Sequence, residues 1–452
     1  MKLSLSMKPP FERFIFENFS FVPQTKKLIL EYSLDQKITF REEFVFPFEF
    51  APHYEKKALE QAMFGAFVMC GISYYKAFLP PKIEFSQNEL TASQAQFFQK
   101  TWERGLGEFF YRNNLPTKGS IPFSASGKEA PVPVQIKHLE GSLVPLGGGK
   151  DSLVSAELLK EADEEFETWT VGDFPFLNPM TERIGTPHLR VKRTLDPRLF
   201  ELNEAGALNG HIPISAILAF LGVASAILRG RKNVILSNEH SANEPTVGDV
   251  NHQYSKSLEF EQNFQNYVCE NISPDINYFS LLRPLSELKI AEIFVHKCWK
   301  KYSRLFASCN TNYQLRPLVT ATASSRKQWC GNCPKCAFVF SILAPFVPRE
   351  ELVALFGKNL FEDKNLESTF YELLGMTESK PFECVGEIEE VRYALEQARK
   401  NFPESAKFQF PASKFDPKKM HPSSMPERFT TLLTQHTSCH PEFISGSLIK
   451  GF

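Results

Sequence analysis

A run of glycines followed by a lysine, an aspartate and a serine carries the clearest chemistry in this sequence. A short apolar run precedes these residues, which are Gly147, Gly148, Gly149, Lys150, Asp151 and Ser152. Consecutive glycines let a backbone approach an anion and turn several amides toward it. A helix starting here would add its free N–H groups and the positive end of its dipole. The run therefore predicts a phosphate-binding loop, in which Lys150 supplies positive charge, Ser152 a hydroxyl donor and Asp151 a ligand for magnesium.

Two familiar phosphate loops do not fit this run. Val144 stands where the Walker A loop has its first glycine, and Asp151 stands where it has serine or threonine. The dinucleotide fingerprint fails at Ser152. The run instead resembles the PP-loop, S-G-G-x-D-S, of the ATP pyrophosphatase superfamily, with Gly147 in place of the usual serine. That resemblance implies that ATP is cleaved between its α and β phosphates to give AMP and pyrophosphate.

Four cysteines form a second chemical signal. Cys330, Cys333 and Cys336 make a C-x-x-C-x-x-C run, and Cys309 lies upstream of it. Four thiolates complete a closed tetrahedral zinc site, which is structural because no position remains for water. An iron–sulfur cluster uses the same ligand type and stays open as an alternative. The other cysteines, including Cys384, are scattered along the chain.

Two polar runs supply candidate acid–base groups. The first contains Glu239 and His240, and the second contains His252, Tyr254 and Lys256. These side chains can bind magnesium, hold a carboxylate or move protons, so we treat them as candidate catalytic residues. A solvated loop or a helix cap is the alternative for each of them.

Two arginines are candidates for substrate binding. Arg283, between two leucines and a proline, is suited to clamp an anion. Arg190 lies in a long segment after the second strand of the predicted sheet and would shape a substrate pocket, although a structural loop explains this segment equally well.

The elements that must position these residues alternate between strand and helix from about residue 141 onward. This alternation predicts an α/β fold with a parallel sheet and helices on both faces. Ligands bind such sheets at the carboxyl ends of the strands. Residues 147–152 and 237–241 each follow a predicted strand there. We therefore expect the two loops to share one site.

The chain divides into four predicted regions. Residues 1–140 are an α+β domain that shapes the substrate site, and residues 141–300 are a PP-loop nucleotide-binding domain. Residues 301–400 hold the cysteine cluster, as a small zinc subdomain, and C-terminal helices. Residues 401–452, rich in proline, serine and lysine, are a predicted disordered tail.

Composition limits the partners. The net charge is -1, from 51 basic and 52 acidic residues, so no bulk attraction to nucleic acid or an anionic membrane exists. No segment has the apolar length of a membrane helix, and the first residues lack the apolar run of a signal peptide. The cysteine usage fits a reducing compartment. We therefore expect a cytoplasmic protein with neither nucleic acid nor membrane as partner.

Taken together, the chain resembles the UDP-MurNAc-L-alanyl-L-glutamate epimerase family (MurL) over roughly residues 10–395. The resemblance is carried by the strings GISYYKA, GLGEFFYRN, PLGGGKDSLVS, LNGHIP, SNEHSA, NHQYSKS, LLRPLSEL and WCGNCPKC, in that order. It implies a bacterial enzyme of peptidoglycan precursor synthesis. Such an enzyme inverts the terminal L-glutamate of UDP-MurNAc-L-Ala-L-Glu, consumes ATP with magnesium, and acts beside a ligase that adds L-glutamate.

Three alternatives remain at this point. A 7-cyano-7-deazaguanine synthase also joins a PP-loop to a cysteine-bound zinc, but it is shorter and lacks the large N-terminal region seen here. A tRNA-thiolating enzyme is expected to have a basic surface. A zinc-stabilised nucleotide-binding module without catalysis would bind ATP but release no pyrophosphate.

Overall fold

The computed structural model describes residues 10–116, 121–129, 131–309 and 328–437. These residues form a mixed α/β structure around one large sheet. Its nine strands are β1 Arg13–Val22, β2 Lys27–Leu34, β3 Ile38–Val45, β4 Lys82–Phe85, β5 Glu140–Pro145, β6 Phe166–Val171, β7 His188–Thr194, β8 Arg231–Leu236 and β9 Asn277–Ser280.

The helices within the described residues cover both halves of the chain. They are α1 Lys56–Cys70, α2 Ile72–Tyr75, α3 Ala92–Gly105, α4 Gly107–Arg112, α5 Lys150–Glu161, α6 Asn178–Ile184, α7 Pro197–Glu204, α8 Ile214–Arg229, α9 Leu258–Asn271, α10 Glu287–Ile293, α11 Trp299–Tyr302, α12 Pro334–Leu343, α13 Arg349–Phe356, α14 Glu367–Leu373, α15 Ile388–Ala398 and α16 Glu427–Thr437. A π-helical segment, Phe294–Cys298, joins α10 to α11.

The strand order is β4-β1-β2-β3-β7-β6-β5-β8-β9. Strands β1 to β3 form an antiparallel meander, whereas β7, β6, β5, β8 and β9 are all parallel. The parallel sheet predicted from residue 141 onward is therefore present. The chain runs from β5 outward through β6 to β7 and then returns to the other side of β5 with β8. The loops that follow β5 and β8 consequently flank a topological switch point, where α/β sheets bind ligands.

Apolar residues fill both faces of the parallel strands. On β5, Leu143 belongs to one buried cluster and its neighbour Val144 to another; on β8, Val234 and Ile235 divide in the same way. Successive strand residues point to opposite faces, so the two clusters are two cores separated by the sheet. The first core includes the apolar residues of α1, α3, α8 and α9, and the second those of α5, α10, α12 and α15.

The sheet crosses the predicted boundary at residue 140. Glu43, Phe44 and Val45 of β3 pair antiparallel with Thr194, Arg193 and Lys192 of β7. Beside this seam, Arg193 Nε donates a 2.6 Å hydrogen bond to Oε1 of Glu42, whose side chain is fully buried. The substrate-shaping and nucleotide-binding regions predicted from the sequence thus share one sheet, and their limits as folding domains remain predictions.

The start of the predicted disordered tail is packed rather than disordered. Residues 403–407 form a 3₁₀ turn, and α16 follows. Phe408, Phe429 and Leu433 are buried in the second core, so the prediction of disorder is wrong for residues 401–437. The rest of the predicted tail, residues 438–452, lies outside the described residues. Within the described ranges, no helix combines the length and apolar character needed to cross a membrane.

Candidate active site

The glycine run forms a tight connection between β5 and α5. Gly148 has a φ of +70°, and a Cβ there would lie 2.7 Å from the side chain of Leu177, so only glycine fits. Gly149 is the N-cap of α5. The Ser152 hydroxyl donates to the Gly149 carbonyl at 3.2 Å. The first turn of α5 therefore faces the end of β5, as the sequence predicts, and its free amides can hold an anion.

Lys150 is buried at the start of α5. Its ammonium group donates hydrogen bonds to the carboxylates of Asp151 and of Glu287, the first residue of α10. Burial opposes the charge, but these two carboxylates outweigh it and raise the pKa of Lys150, which stays protonated. Burial raises the pKa of Glu287 to about 7, with Asp151 and Glu239 adding to the rise. Three carboxyl groups and one ammonium group are thus concentrated beside the glycine loop.

The loop after β8 brings Glu239 to the same place. Glu239 is buried, and its Oε1 accepts a 3.2 Å hydrogen bond from the Ser241 hydroxyl. The pKa of Lys256 is raised, first by the sulfur of Cys384 and then by Glu239 and Asp151. Glu239 and Lys256, predicted from two separate polar runs, therefore lie close enough to interact electrostatically, and Asp151 of the glycine loop also acts on Lys256.

Arg283 does not occupy the predicted substrate-binding position. It is fully buried, and its guanidinium donates to the main-chain oxygens of Glu239 and Lys256, both at 2.6 Å, and to Glu261 at 2.9 Å. These hydrogen bonds connect the loop that contains Glu239 to the loop that contains Lys256, and they fix the two loops relative to each other. The predicted anion clamp is corrected to a structural tie between these loops.

His240, in the loop after β8, contacts side chains from the C-terminal region of the chain. Its ring stacks on that of His421 with 3.4 Å between centroids, and its Nε2 lies 3.4 Å from Oε1 of Glu387. Burial, followed by the nearby positive groups, lowers the pKa of His240 to about 4. Burial raises the pKa of Glu387 to about 7. His240 is therefore neutral at physiological pH.

His252 and Tyr254 differ in their surroundings. Nδ1 of His252 lies 2.6 Å from the Thr246 hydroxyl, and burial lowers the pKa of His252 to about 4. Tyr254 is buried in the first core, with the Arg104 guanidinium over its ring at 5.8 Å. Burial raises the pKa of Tyr254, which disfavours a phenolate there. The structure favours His252 over Tyr254 as a proton carrier.

Arg190 lies on β7. It donates to Asp173 at 3.0 Å and to Asn178 at 2.7 Å. Among the described residues, none of its hydrogen bonds reaches the glycine loop. Its predicted contact with substrate stays a prediction.

The four predicted cysteines meet in one cluster. The sulfur atoms of Cys309, Cys330, Cys333 and Cys336 all lie within 4.8 Å of one another. The Gly331 amide donates to the Cys336 sulfur at 3.4 Å, so the backbone also stabilises thiolate charge here. The cluster can hold a metal ion.

Two functional candidates, Lys335 and Cys384, escaped sequence reasoning. Lys335 lies between two of the clustered cysteines, and its ammonium group donates to the main-chain oxygen of Cys384. Nζ of Lys256 lies 3.2 Å from the Cys384 sulfur. Nothing in the sequence singled out Cys384 among the scattered cysteines, because Lys256 and Lys335, which it contacts, are distant from it in the sequence.

The fold and the site together define an α/β protein with a glycine-rich anion loop at the switch point of a parallel sheet. The MurL N-terminal domain matches residues 6–281, and the MurL C-terminal domain matches residues 305–410. The chain therefore belongs to the MurL family of epimerases, and the predictions of this family and of an isomerase are confirmed.

Curated relatives agree with this assignment. The UDP-N-acetyl-alpha-D-muramoyl-L-alanyl-L-glutamate epimerase of Xanthomonas oryzae pv. oryzae is 41% identical over 345 residues, which cover 75% of this chain and 74% of the relative. The proteins of the same name from Micromonospora sp. and Salinispora tropica are each 36% identical. The first match covers 85% of this chain and 86% of the relative, and the second covers 85% and 84%.

Proposed function

We propose that this protein converts the terminal L-glutamate of UDP-MurNAc-L-Ala-L-Glu to D-glutamate, with ATP consumed to AMP and pyrophosphate. The observation that carries the ATP requirement is the glycine loop at the start of α5, with Lys150 and Asp151 beside Glu239 and Lys256. The names of the relatives support the substrate. We also propose that the region around the glycine loop has the fold of the PP-loop ATP pyrophosphatase superfamily.

ATP solves a problem of acidity. Removing the α-proton from a free carboxylate would create a dianion, so the proton is only very weakly acidic. In the proposed first step, an oxygen of the glutamyl α-carboxylate attacks the α-phosphorus of ATP, and pyrophosphate leaves. The acyl-adenylate lacks the carboxylate charge, and a protein base can then remove the α-proton. Delivery of a proton to the opposite face and hydrolysis of the adenylate give the D product and AMP.

The residues present fit these roles. The amides at the start of α5 and the Lys150 ammonium bind phosphate oxygens. Asp151, with Glu239 and Glu287 near it, offers the carboxylate oxygens that magnesium prefers, and the metal would neutralise the leaving pyrophosphate. Glu239, Lys256 and His252 are the proposed proton carriers, and Arg283 holds their loops in register.

The cysteine cluster fits a structural zinc ion. Four sulfurs leave no open position for substrate, and backbone amides donate to two of them. The substrate, a UDP-linked peptidoglycan precursor, implies a cytoplasmic enzyme. It also implies a preceding ligase that adds L-glutamate to the muramoyl-alanine precursor.

The test is incubation with UDP-MurNAc-L-Ala-L-Glu, ATP and magnesium in deuterated water. Deuterium at the glutamyl α-carbon, D-glutamate and AMP should appear together. Lys150→Met should abolish all three, whereas Lys232→Met, at an exposed position of β8, should abolish none. ATP binding without AMP formation would instead indicate a non-catalytic nucleotide-binding module.

A further inference from the structure

Cys384 is placed beside a charged group of the candidate site. It is half-buried in the segment between α14 and α15, and its sulfur lies 3.2 Å from Nζ of Lys256, 128 residues away in sequence. The thiolate is the form of cysteine that acts as a nucleophile and accepts a proton. The chain thus brings a nucleophilic, proton-accepting sulfur to the lysine whose pKa is also raised by Glu239 and Asp151.

Three elements hold this segment in place. The Lys335 ammonium group donates to the main-chain oxygen of Cys384. Two residues earlier, the ring of Phe382 packs at 6.1 Å from the ring of His252, and the Arg112 guanidinium covers it at 4.9 Å. Contacts from α12, from α4 and from the polar loop that contains His252 therefore fix the position of the sulfur.

An independent observation at His252, beside the segment that carries Cys384, indicates a binding site. His252 is 7% exposed, and its Nε2 has no hydrogen-bond partner in the part of the chain that the structure describes. Buried polar atoms are normally satisfied, so an unpartnered one indicates a missing ligand group. The charged groups that act on this ring are the carboxylate of Glu108 and the ammonium groups of Lys256, Lys380 and Lys335. A buried, unpartnered ring nitrogen with three ammonium groups and one carboxylate near it fits an anionic glutamyl group.

We propose that Cys384 is a proton-transfer group for one face of the glutamyl α-carbon, and that Lys256 positions its sulfur. This inference rests on the proposed function. In one direction, the Cys384 thiolate forms an S–H bond with the α-proton, and the C–H electron pair passes into the enolate of the acyl-adenylate. A second protein group protonates the opposite face and forms the new C–H bond. Proton exchange with solvent then returns both groups to their starting protonation states.

The decisive experiment compares Cys384→Ser and Cys384→Ala with Cys269→Ser, which alters the exposed cysteine of α9. Each variant is given ATP, magnesium and either the L-glutamyl or the D-glutamyl diastereomer in deuterated water. We expect both Cys384 variants to form AMP within about threefold of the control, since adenylation precedes proton transfer. Interconversion should fall by at least about 100-fold, the usual range for loss of an acid–base group.

The two diastereomers separate a chemical role from a structural one. Loss of one proton-transfer group should leave α-deuterium exchange in only one diastereomer, whereas a merely distorted site would slow exchange in both. Interconversion by Cys384→Ser within tenfold of the control would overturn the inference. Absence of AMP in the unaltered protein would instead overturn the proposed function.

Alkylation of the unaltered protein gives a second test that needs no folded variant. Iodoacetamide should label Cys384 and Cys269, and ATP with substrate should protect Cys384 alone. Equal labelling of Cys384 with and without these ligands would contradict a position at the reacting carbon.

Discussion

Lys150 and Glu287 form a buried ion pair between the first turns of α5 and α10, 137 residues apart. The same ammonium group also donates a hydrogen bond to the carboxylate of Asp151. The phosphate loop is therefore attached to a second helix through the side chain that we propose binds ATP. Stability and nucleotide chemistry depend on one residue here, and they can be separated by experiment.

Lys150→Met should destabilise the protein as well as abolish AMP formation. It leaves Glu287 and Asp151 facing each other without a cation, and removal of one partner from a buried pair costs about 3–5 kcal/mol. The double variant Lys150→Met with Glu287→Gln should recover much of the stability but none of the AMP formation. Urea unfolding monitored by circular dichroism measures the first effect. A single variant as stable as the unaltered protein would refute the buried pair.

The buried carboxyl group of Glu390 should make stability depend on pH. Its oxygens accept hydrogen bonds from the amides of Leu288 and Glu387, and burial raises its pKa to about 8. Between about pH 4.5 and 8 the folded state therefore binds more protons than the unfolded state, so stability falls as the pH rises.

Glu390→Gln should remove this slope. The unfolding free energy of the unaltered protein minus that of the variant should fall by at most about 1.4 kcal/mol per pH unit from pH 5 to pH 8, and then level off. Glu350→Gln, on the exposed first turn of α13, controls for the loss of one carboxylate. A difference that does not change with pH would show that Glu390 is ionised in the folded state throughout.

Removal of metal should loosen the cysteine cluster and, through Lys335, the segment that holds Cys384. We expect one zinc ion per chain by metal analysis, and loss of it with Cys333→Ser but not with Cys269→Ser. Trp329, buried beside the cluster against Phe306 and Phe356, should report the change by its fluorescence. If metal analysis finds iron instead, and the protein absorbs visible light, the cysteines hold an iron–sulfur cluster rather than zinc.

Phe429→Ala should show that α16 is part of the folded protein. The ring lies 4.7 Å from that of Phe279 on β9, in the second core. Truncation of a buried phenylalanine costs about 3–5 kcal/mol. Met420→Ala, at a 52% exposed side chain, should change stability by less than about 0.5 kcal/mol. Equal effects of the two changes would contradict the docking of α16.

Local signals explain what the sequence could predict. The apolar run Leu143–Val144 before the glycines identified β5 and the start of α5, because strand, turn and helix follow one another directly. The cysteine cluster was visible for the same reason, since three of its four ligands lie within seven residues. The loop after β8 was placed beside the glycine loop by a general rule about parallel sheets.

The features that the sequence did not predict correctly depend mainly on long-range contacts. Arg283 has the chemistry of an anion clamp, and only the fold shows that main-chain oxygens use its donors. Cys384 meets Lys256 across 128 residues, and no local spacing indicates that contact. In the tail, proline and serine suggested disorder, although the helical spacing of Phe429, Leu432 and Leu433 was an available signal for a docked helix.

The seam between β3 and β7 has a practical consequence for dividing this protein. A fragment starting near residue 140 would carry β7 as an open sheet edge, with Arg193 deprived of the Glu42 carboxylate. Open edges recruit strands from other chains, so such a fragment should self-associate when produced without the first half. Exchange of the N-terminal region between relatives should succeed only when β3 and β7 come from the same parent.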